Sequence, residues 1–263
     1  DLGPKIPAID PNAYAWARDI KNQGYNNAYL GKWHVHPTCD PTVFGYDKYV
    51  SEQDYREYRK LKYPNQTYYD GVHITENKGI SAWLGSVDNV ALSDTRTHWF
   101  ADKTIETIKE FAKNGKPWHI RMELTEPHLP CTPHPDFAAL YQAEDIPEWG
   151  SFKESFENKP YIQKQMLYNW RLENYTWEDW APIVSRYYAI ITQLDDAIGR
   201  VLKTLKRMGL EQNTIVVFTS DHGDMCGGHR MIDKHYVMYA DIVKVPLIVK
   251  WPGHYEGGRT VDQ

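Results

Sequence analysis

The residues able to do chemistry gather in three short stretches. In "TIVVFTSDHGDMCGGHRMIDKHYVM", Thr214 to Met238, an apolar run ending at Phe218 gives way to Asp221, His222, Gly223 and Asp224, and then to His229, Asp233, Lys234 and His235. A carboxylate oxygen beside an imidazole nitrogen can hold a divalent cation, so Asp221 and His222 are the candidate metal ligands. Gly223 would let the backbone bend behind them. His229 and Lys234 follow His222 by seven and twelve residues and return to the same place if "DMCGG" forms a loop. The second stretch is "NAYLGKWHVH", Asn27 to His36, where Lys32, His34 and His36 alternate along an extended segment and point the same way. An ammonium and an imidazole on one side suit the oxygens of a tetrahedral anion. The third is "ELTEPHLPCTPHPDF", in which Pro127, Pro130, Pro133 and Pro135 stiffen a loop carrying His128 and His134. Any one stretch alone is as readily a polar surface turn, and an Asp-His-Gly tripeptide recurs by chance. Together they supply what an anion site beside a metal needs.

Each stretch must be positioned by the element before it. Asp10-Pro11 has the form of a helix opening, and Gly24 closes that segment. The strand "NNAYLG" then ends at Gly31, and "PWHIRMEL" is a second strand, preceded by a helix over Thr97 to Lys113. Residues 36 to 95 show no clear periodicity and are expected to be long loops with short elements. Between Trp177 and Met208, the positions Val184, Tyr187, Ile191, Leu194, Ile198, Val201, Leu205 and Met208 recur at steps of three and four, which marks a helix with one core face. Asp195 and Asp196 on that helix are expected to face solvent or to cap. The strand "NTIVVFTS" is apolar nearly throughout, as when helices cover both faces of a sheet. The order is that of an α/β fold in one domain, with a doubly wound, mixed but mainly parallel sheet flanked by helices. In such sheets the carboxyl ends of the strands open into the ligand crevice, where all three stretches fall.

Composition narrows the partners. The 263 residues are 41% hydrophobic and 25% charged, enough for one sizeable core. A net charge of −5 with scattered Lys and Arg offers no field for a phosphate backbone, so nucleic acid is not an expected partner. No apolar run approaches the roughly 20 residues of a transmembrane segment, and "DLGPKIPAID" lacks the regions of a signal peptide. Cys39, Cys131 and Cys226 have neither disulfide-framework nor zinc spacing. The 10 Trp and 19 Tyr are expected mainly in cores and loop anchors, although such faces also stack on sugars.

The combination of "GYNNAYLGKWHVH", "EPHLPCTPHPDFAALY" and "VVFTSDHGDMCGGHRMIDKHYVMYADIVKVPLIVKWPG" resembles the sulfatase family of the alkaline phosphatase superfamily, near its iduronate and choline sulfatase-like members. The likeness spans nearly the whole chain and is weakest over 36–95 and 145–176. It implies a sulfuric ester hydrolase acting on a sulfated carbohydrate or small molecule. By this resemblance Asp221 and His222 would be ligands of a calcium ion. Lys32 and Lys234 would bind sulfate oxygens, and His34 would hydrogen-bond the nucleophile and help expel sulfate. His128 would contact the ester and assist the leaving group, and His229 would lie near the substrate. His36 and His134 match nothing obligatory and are expected to be structural or substrate-facing. Export, whether periplasmic, secreted or lysosomal, is an expectation of the same kind.

The resemblance also marks a departure. The family's nucleophile is formylglycine, made from Cys or Ser in a Cys/Ser-x-Pro-x-Arg motif that precedes the Gly-Lys-Trp-His strand, and further metal-binding Asp residues come earlier still. Neither is present. Cys131 begins "CTPHP", but Pro135 stands where Arg is required, so Cys131 is rejected as the nucleophile. The chain is therefore expected to be the middle of a sulfatase-like catalytic domain, incomplete at both ends. Alone it is expected to be inactive, whereas a longer protein containing it would turn over sulfate esters. Two alternatives stay open: a phosphodiesterase or phosphonate monoester hydrolase of the same superfamily, and a non-catalytic sulfatase-like protein that binds sulfated glycans.

Overall fold

Alternation along Asn26–Gly31 decides how the first part of the chain is layered. The computed structural model describes residues 8–66, 69–73 and 83–261. Asn26–Gly31 is β1, and it pairs in parallel with β2 (Lys48–Ser51) on one side and β5 (Trp118–Glu123) on the other. Successive side chains of a strand point to opposite faces. Ala28 and Leu30 therefore pack with Tyr55 of α2 (Glu52–Lys62) and with Trp99, Phe100 and Phe111 of α3 (Arg96–Ala112). Tyr29 packs on the other face with Tyr46 and with Ala17 of α1 (Trp16–Asn22). Helices thus cover both faces of a parallel sheet, as the α/β reading expected.

Two elements differ from expectation. The helix after Asp10-Pro11 begins only at Trp16, because Asp10 closes a turn instead: its Oδ1 accepts from the Asn12 N–H at 2.8 Å and its carbonyl from the Ala13 N–H at 2.8 Å. The stretch 36–95, expected to be mainly loop, holds the 11-residue helix α2. Only Tyr55 of α2 is buried, so its apolar periodicity is faint. Its signature is a capping box, in which Ser51 Oγ accepts from the Asp54 N–H at 3.1 Å and Asp54 Oδ2 accepts from the Ser51 N–H at 2.6 Å. The helix is tied down by Asp94, which takes hydrogen bonds from the Tyr58 and Tyr63 hydroxyls and has Lys62 Nζ at 2.8 Å. Burial pushes the Asp94 carboxyl up, but the hydrogen bonds from Lys62, Tyr58 and Tyr63 outweigh it and hold the group at about 2.

The chain divides into two compact units. The first joins Asp1–Gln66 with Val90–Thr125 and contains the parallel sheet; the second joins Thr67–Asn89 with Glu126–Gln263. The second unit is organised on α6 (Trp177–Arg207), whose Trp180, Ile183 and Val184 pack with Leu84, Phe152, Leu172 and Ile232. Leu84 belongs to β4 (Trp83–Val87), the antiparallel partner of β3 (Tyr69–His73). The buried face of α6 is rotated from the expected stripe. Ile191 is 39% exposed and Met208 36% exposed, while Gln193, Ala197 and Thr204 are buried. Gln193 turns inward because its Oε1 accepts the His134 N–H at 2.7 Å. Asp195 and Asp196 are exposed, as expected.

The strand expected to be covered on both faces is not. β6 (Val216–Thr219) pairs with β7 (Leu247–Lys250) in antiparallel fashion, and among the described residues these two strands pair only with each other. Val217 is 57% exposed, Leu247 69% and Ile248 61%. No helix among the described residues is long and apolar enough to cross a membrane.

Candidate functional site

Two glycines set the backbone where the chemistry-bearing stretches begin. At Gly31, with φ +116°, an added Cβ would lie 1.7 Å from the Glu123 carbonyl oxygen. At Gly223 it would lie 1.7 Å from the Asp241 carbonyl oxygen. Gly223 serves close approach rather than a left-handed bend: its N–H donates to the Ile242 carbonyl at 2.8 Å, which anchors the turn carrying Asp221 and His222. Ile242 lies in the short helix α7 (Ala240–Val243).

In the first unit, the segment after β1 is pinned from three sides. The Lys32 N–H donates to the Glu123 carbonyl at 2.9 Å, the Tyr29 hydroxyl donates to the Lys32 carbonyl at 2.6 Å, and Trp33 Nε1–H donates to the Cys39 carbonyl at 2.7 Å. Lys32 is half-buried and His34 exposed. His36 is structural, since its Nδ1 accepts from the Thr38 and Cys39 N–H groups at 3.1 and 2.8 Å. Behind the strand, Asn27 Oδ1 and His119 Nδ1 lie 2.7 Å apart. Burial, with the nearby Arg121, pushes His119 down to about 4, so its neutral Nδ1–H is the donor to Asn27.

In the second unit the structure brings together two residues that the sequence proposed separately. Lys234 Nζ lies 2.7 Å from His128 Nε2, and His128 Nδ1 lies 2.7 Å from the Leu129 carbonyl. A carbonyl can only accept, which places the His128 proton on Nδ1 and leaves the Nε2 lone pair to take a proton from the ammonium. Lys234 also lies 3.1 Å from Asp233 Oδ1, and His235 Nδ1 lies 2.5 Å from Asp233 Oδ2. Burial pushes the Asp233 carboxyl up, but Lys234, by hydrogen bond and charge, and His235 hold it below the usual carboxylate range. Asp224 is pushed the other way, upward by burial, with its Oδ1 accepting the Cys226 N–H at 2.8 Å. Asp233 was visible in the sequence but unassigned; no spacing rule marks a carboxylate that steadies the next residue's ammonium.

His222 is oriented by its own turn. Its Nδ1–H donates to the Gly223 carbonyl at 2.7 Å, so Nε2 carries the lone pair, and Nε2 lies 3.5 Å from Asp221 Oδ2. A ligating imidazole held through its other nitrogen by a carbonyl is the usual second layer of a metal site. The pair fits two donor positions of a divalent cation. Calcium takes six to eight oxygen-rich ligands, and among the described residues no three His, Cys, Asp or Glu gather as a metal cluster.

The other candidates have structural partners. His134 Nδ1 accepts the Asp136 N–H at 3.2 Å and caps the short helix α4 (Pro135–Ala138). His229 Nδ1 is bound by Glu154, and its ring stacks on Tyr239 with centroids 4.0 Å apart. Cys131 is 1% exposed, and burial pushes its thiol well above the usual range, which accords with its rejection as a nucleophile.

Comparison with known proteins gives this geometry a family. The Sulfatase family model matches residues 17–263, and the chain belongs to the sulfatase family. It is 29% identical over 265 residues to the uncharacterized sulfatase YidJ of Escherichia coli K12, covering 95% of this chain and 50% of that protein. It is 27% identical over 246 residues to an ulvan-active sulfatase of Formosa agariphila, covering 90% of this chain and 40% of that protein. The fold is similar to that of a phosphonate monoester hydrolase from Silicibacter pomeroyi, with a TM-score of 0.73 at 18% identity over 94% of this chain and 54% of that one. The chain thus spans about half the length of the relatives it matches.

Proposed function

We propose that the protein containing this chain is a sulfatase that hydrolyses a sulfate ester, of a sulfated carbohydrate or a sulfated small molecule. The observation that carries this reading is the contact between Lys234 and His128, 2.7 Å apart in the unit that also presents Asp221 and His222. The ammonium has three protons, of which one goes to His128 Nε2 and one faces Asp233 Oδ1, which leaves the third for a sulfate oxygen. A preorganised cation of this kind stabilises charge that grows on those oxygens as the S–O bond breaks. His128, turned towards Lys234 through Nε2, is proposed to contact the ester and assist the departing oxygen, while Lys234 keeps its charge.

Asp221 and His222 are proposed to hold a calcium ion, which when bound would supply further positive charge to the sulfate. Formylglycine is proposed to supply the nucleophilic oxygen from a segment outside these 263 residues. Lys32 is proposed to bind a sulfate oxygen, and His34 to hydrogen-bond the nucleophile and help expel sulfate. A relative named N-acetylglucosamine-6-O-sulfatase, 23% identical, supports a sulfated sugar as one form of the substrate.

The test is hydrolysis by the full-length protein of matched 4-nitrophenyl esters of sulfate, phosphate and phenylphosphonate. Preference for sulfate is expected. Preference for the phosphonate would move the protein to the phosphonate hydrolase reading, and no turnover of any ester, with a sulfated glycan bound in a parallel calorimetric titration, would make it a non-catalytic member.

A further inference from the structure

The loop that delivers Lys234 is held in a costly conformation. Cys226, His229, Arg230, Asp233 and Tyr236 are five non-glycine residues with positive φ, from 29° to 65°, within eleven positions. Such residues persist only where the surroundings over-determine them. Inside the loop, the Met225 N–H donates to the Asp233 carbonyl at 3.1 Å and the Gly227 N–H to the Met231 carbonyl at 2.8 Å. Below it, Met225 and Met231 pack with Phe156 and with Met166 and Leu167 of α5 (Tyr161–Trp170).

The polar anchor is Glu154. Its carboxylate binds His229 Nδ1 and Lys159 Nζ, and the Tyr239 hydroxyl lies 3.1 Å from Glu154 Oε2 and from Gln163 Oε1. Arg230 Nη2 donates to the Glu154 backbone carbonyl at 3.1 Å, and its guanidinium lies over the Phe156 ring at 5.7 Å. One carboxylate therefore grips the left-handed part of the loop at His229 and the returning chain at Tyr239. His229, expected beside the substrate, is bound by this anchor.

We propose that Glu154 is a positioning residue that fixes the 225–236 loop so that Lys234 stays within reach of His128. The proposal rests on reading Lys234 and His128 as the anion-binding pair. It gives the segment 145–176, where the resemblance is weakest, a share in setting the geometry of the site. Glu154 acts through His229 and Tyr239 and does not itself touch substrate.

The experiment uses the full-length protein and three variants, Glu154→Gln, Glu154→Ala and His229→Gln. The isosteric Glu154→Gln covers the case in which Glu154→Ala does not fold. Lysines are reductively methylated with 13C-formaldehyde, and the Lys234 dimethylamino resonance is identified by its loss in Lys234→Arg. In spectra taken well below the unfolding temperature, the Lys234 resonance is expected to move in all three variants. The kcat for 4-nitrophenyl sulfate is expected to fall on the order of tenfold to a hundredfold, as for comparable misplacement of a catalytic group. A lower Tm with the Lys234 resonance and kcat unchanged would overturn the proposal, leaving Glu154 a stabilising contact only. If the parent hydrolyses no sulfate ester and the resonance still moves, the sulfatase reading fails while the positioning role stands.

Discussion

Lys234 Nζ lies 2.7 Å from His128 Nε2, although the two residues are 106 positions apart in the chain. The contact orders both groups: His128 is fixed as the Nδ1–H tautomer by the Leu129 carbonyl, and the ammonium is held between Nε2 and Asp233. Lys234→Ala is expected to lower kcat/KM of the full-length protein for a sulfate ester by roughly a hundredfold or more, the scale of losing one preorganised charge contact. Lys234→Arg should not restore it, because a planar guanidinium replaces a point charge. Steady-state kinetics on both variants decide this.

The Asp221 and His222 pair makes a separate prediction about metal. His222→Ala and Asp221→Asn should each weaken calcium binding by the full-length protein, measured by isothermal titration calorimetry, with no change in Tm of the metal-free protein. Unchanged affinity in both variants would remove these residues from the ligand set.

Stability in acid should carry the mark of Asp94. Its carboxyl is held at about 2, below the ordinary value near 4 of an unfolded chain, so the charged form stabilises the fold. That contribution is complete above about pH 4 and is lost as pH falls towards 2. Urea unfolding of the parent and Asp94→Asn should therefore differ most near neutral pH and converge in acid. At neutral pH, Asp94→Ala should cost about 2–3 kcal/mol, since it strands the Tyr58 and Tyr63 hydroxyls.

His119 gives a second acid window. Its imidazole is pushed down to about 4 from the usual value near 6.5, so the unfolded chain takes up a proton before the folded one does. This contribution is present above about pH 6.5 and is lost as pH falls towards 4. An NMR titration should show His119 still neutral at pH 6, where an exposed histidine is largely charged.

Gly223→Ala should destabilise by about 2 kcal/mol or more, because the new methyl group meets the Asp241 carbonyl and one of the two backbones must move. Gly199→Ala is the control. Nothing lies within 4 Å of its added Cβ on α6, so that change should stabilise by about 0.5–1 kcal/mol. Thermal unfolding of the two variants separates close approach from a general cost of losing glycine.

The sequence was legible where one physical rule dominated. Strand β1 and helices α3 and α6 follow from periodicity and capping, and the three chemistry-bearing stretches follow from polar residues placed after apolar runs. Helix α2 was missed because a single buried Tyr55 gives too little periodicity and its signal lay in Ser51 and Asp54. The face of α6 was misjudged because Gln193, polar by type, is drawn inward by the His134 N–H. Within the site, residue types pointed to Lys234 and His128 one at a time. Their contact depends on a fold-back of the chain, and the grip of Glu154 on His229 joins residues 75 positions apart that no local pattern links.

The ribbon of β6 and β7 bears on how the molecule must be handled at the bench. Val217, Leu247, Ile248 and Val249 leave apolar side chains in water, and the backbone edges of a two-stranded pair are ready templates for another strand. Purified as these 263 residues, the polypeptide should stick to itself, eluting from a sizing column as concentration-dependent aggregates that charged substitutions at Val217 and Ile248 would disperse.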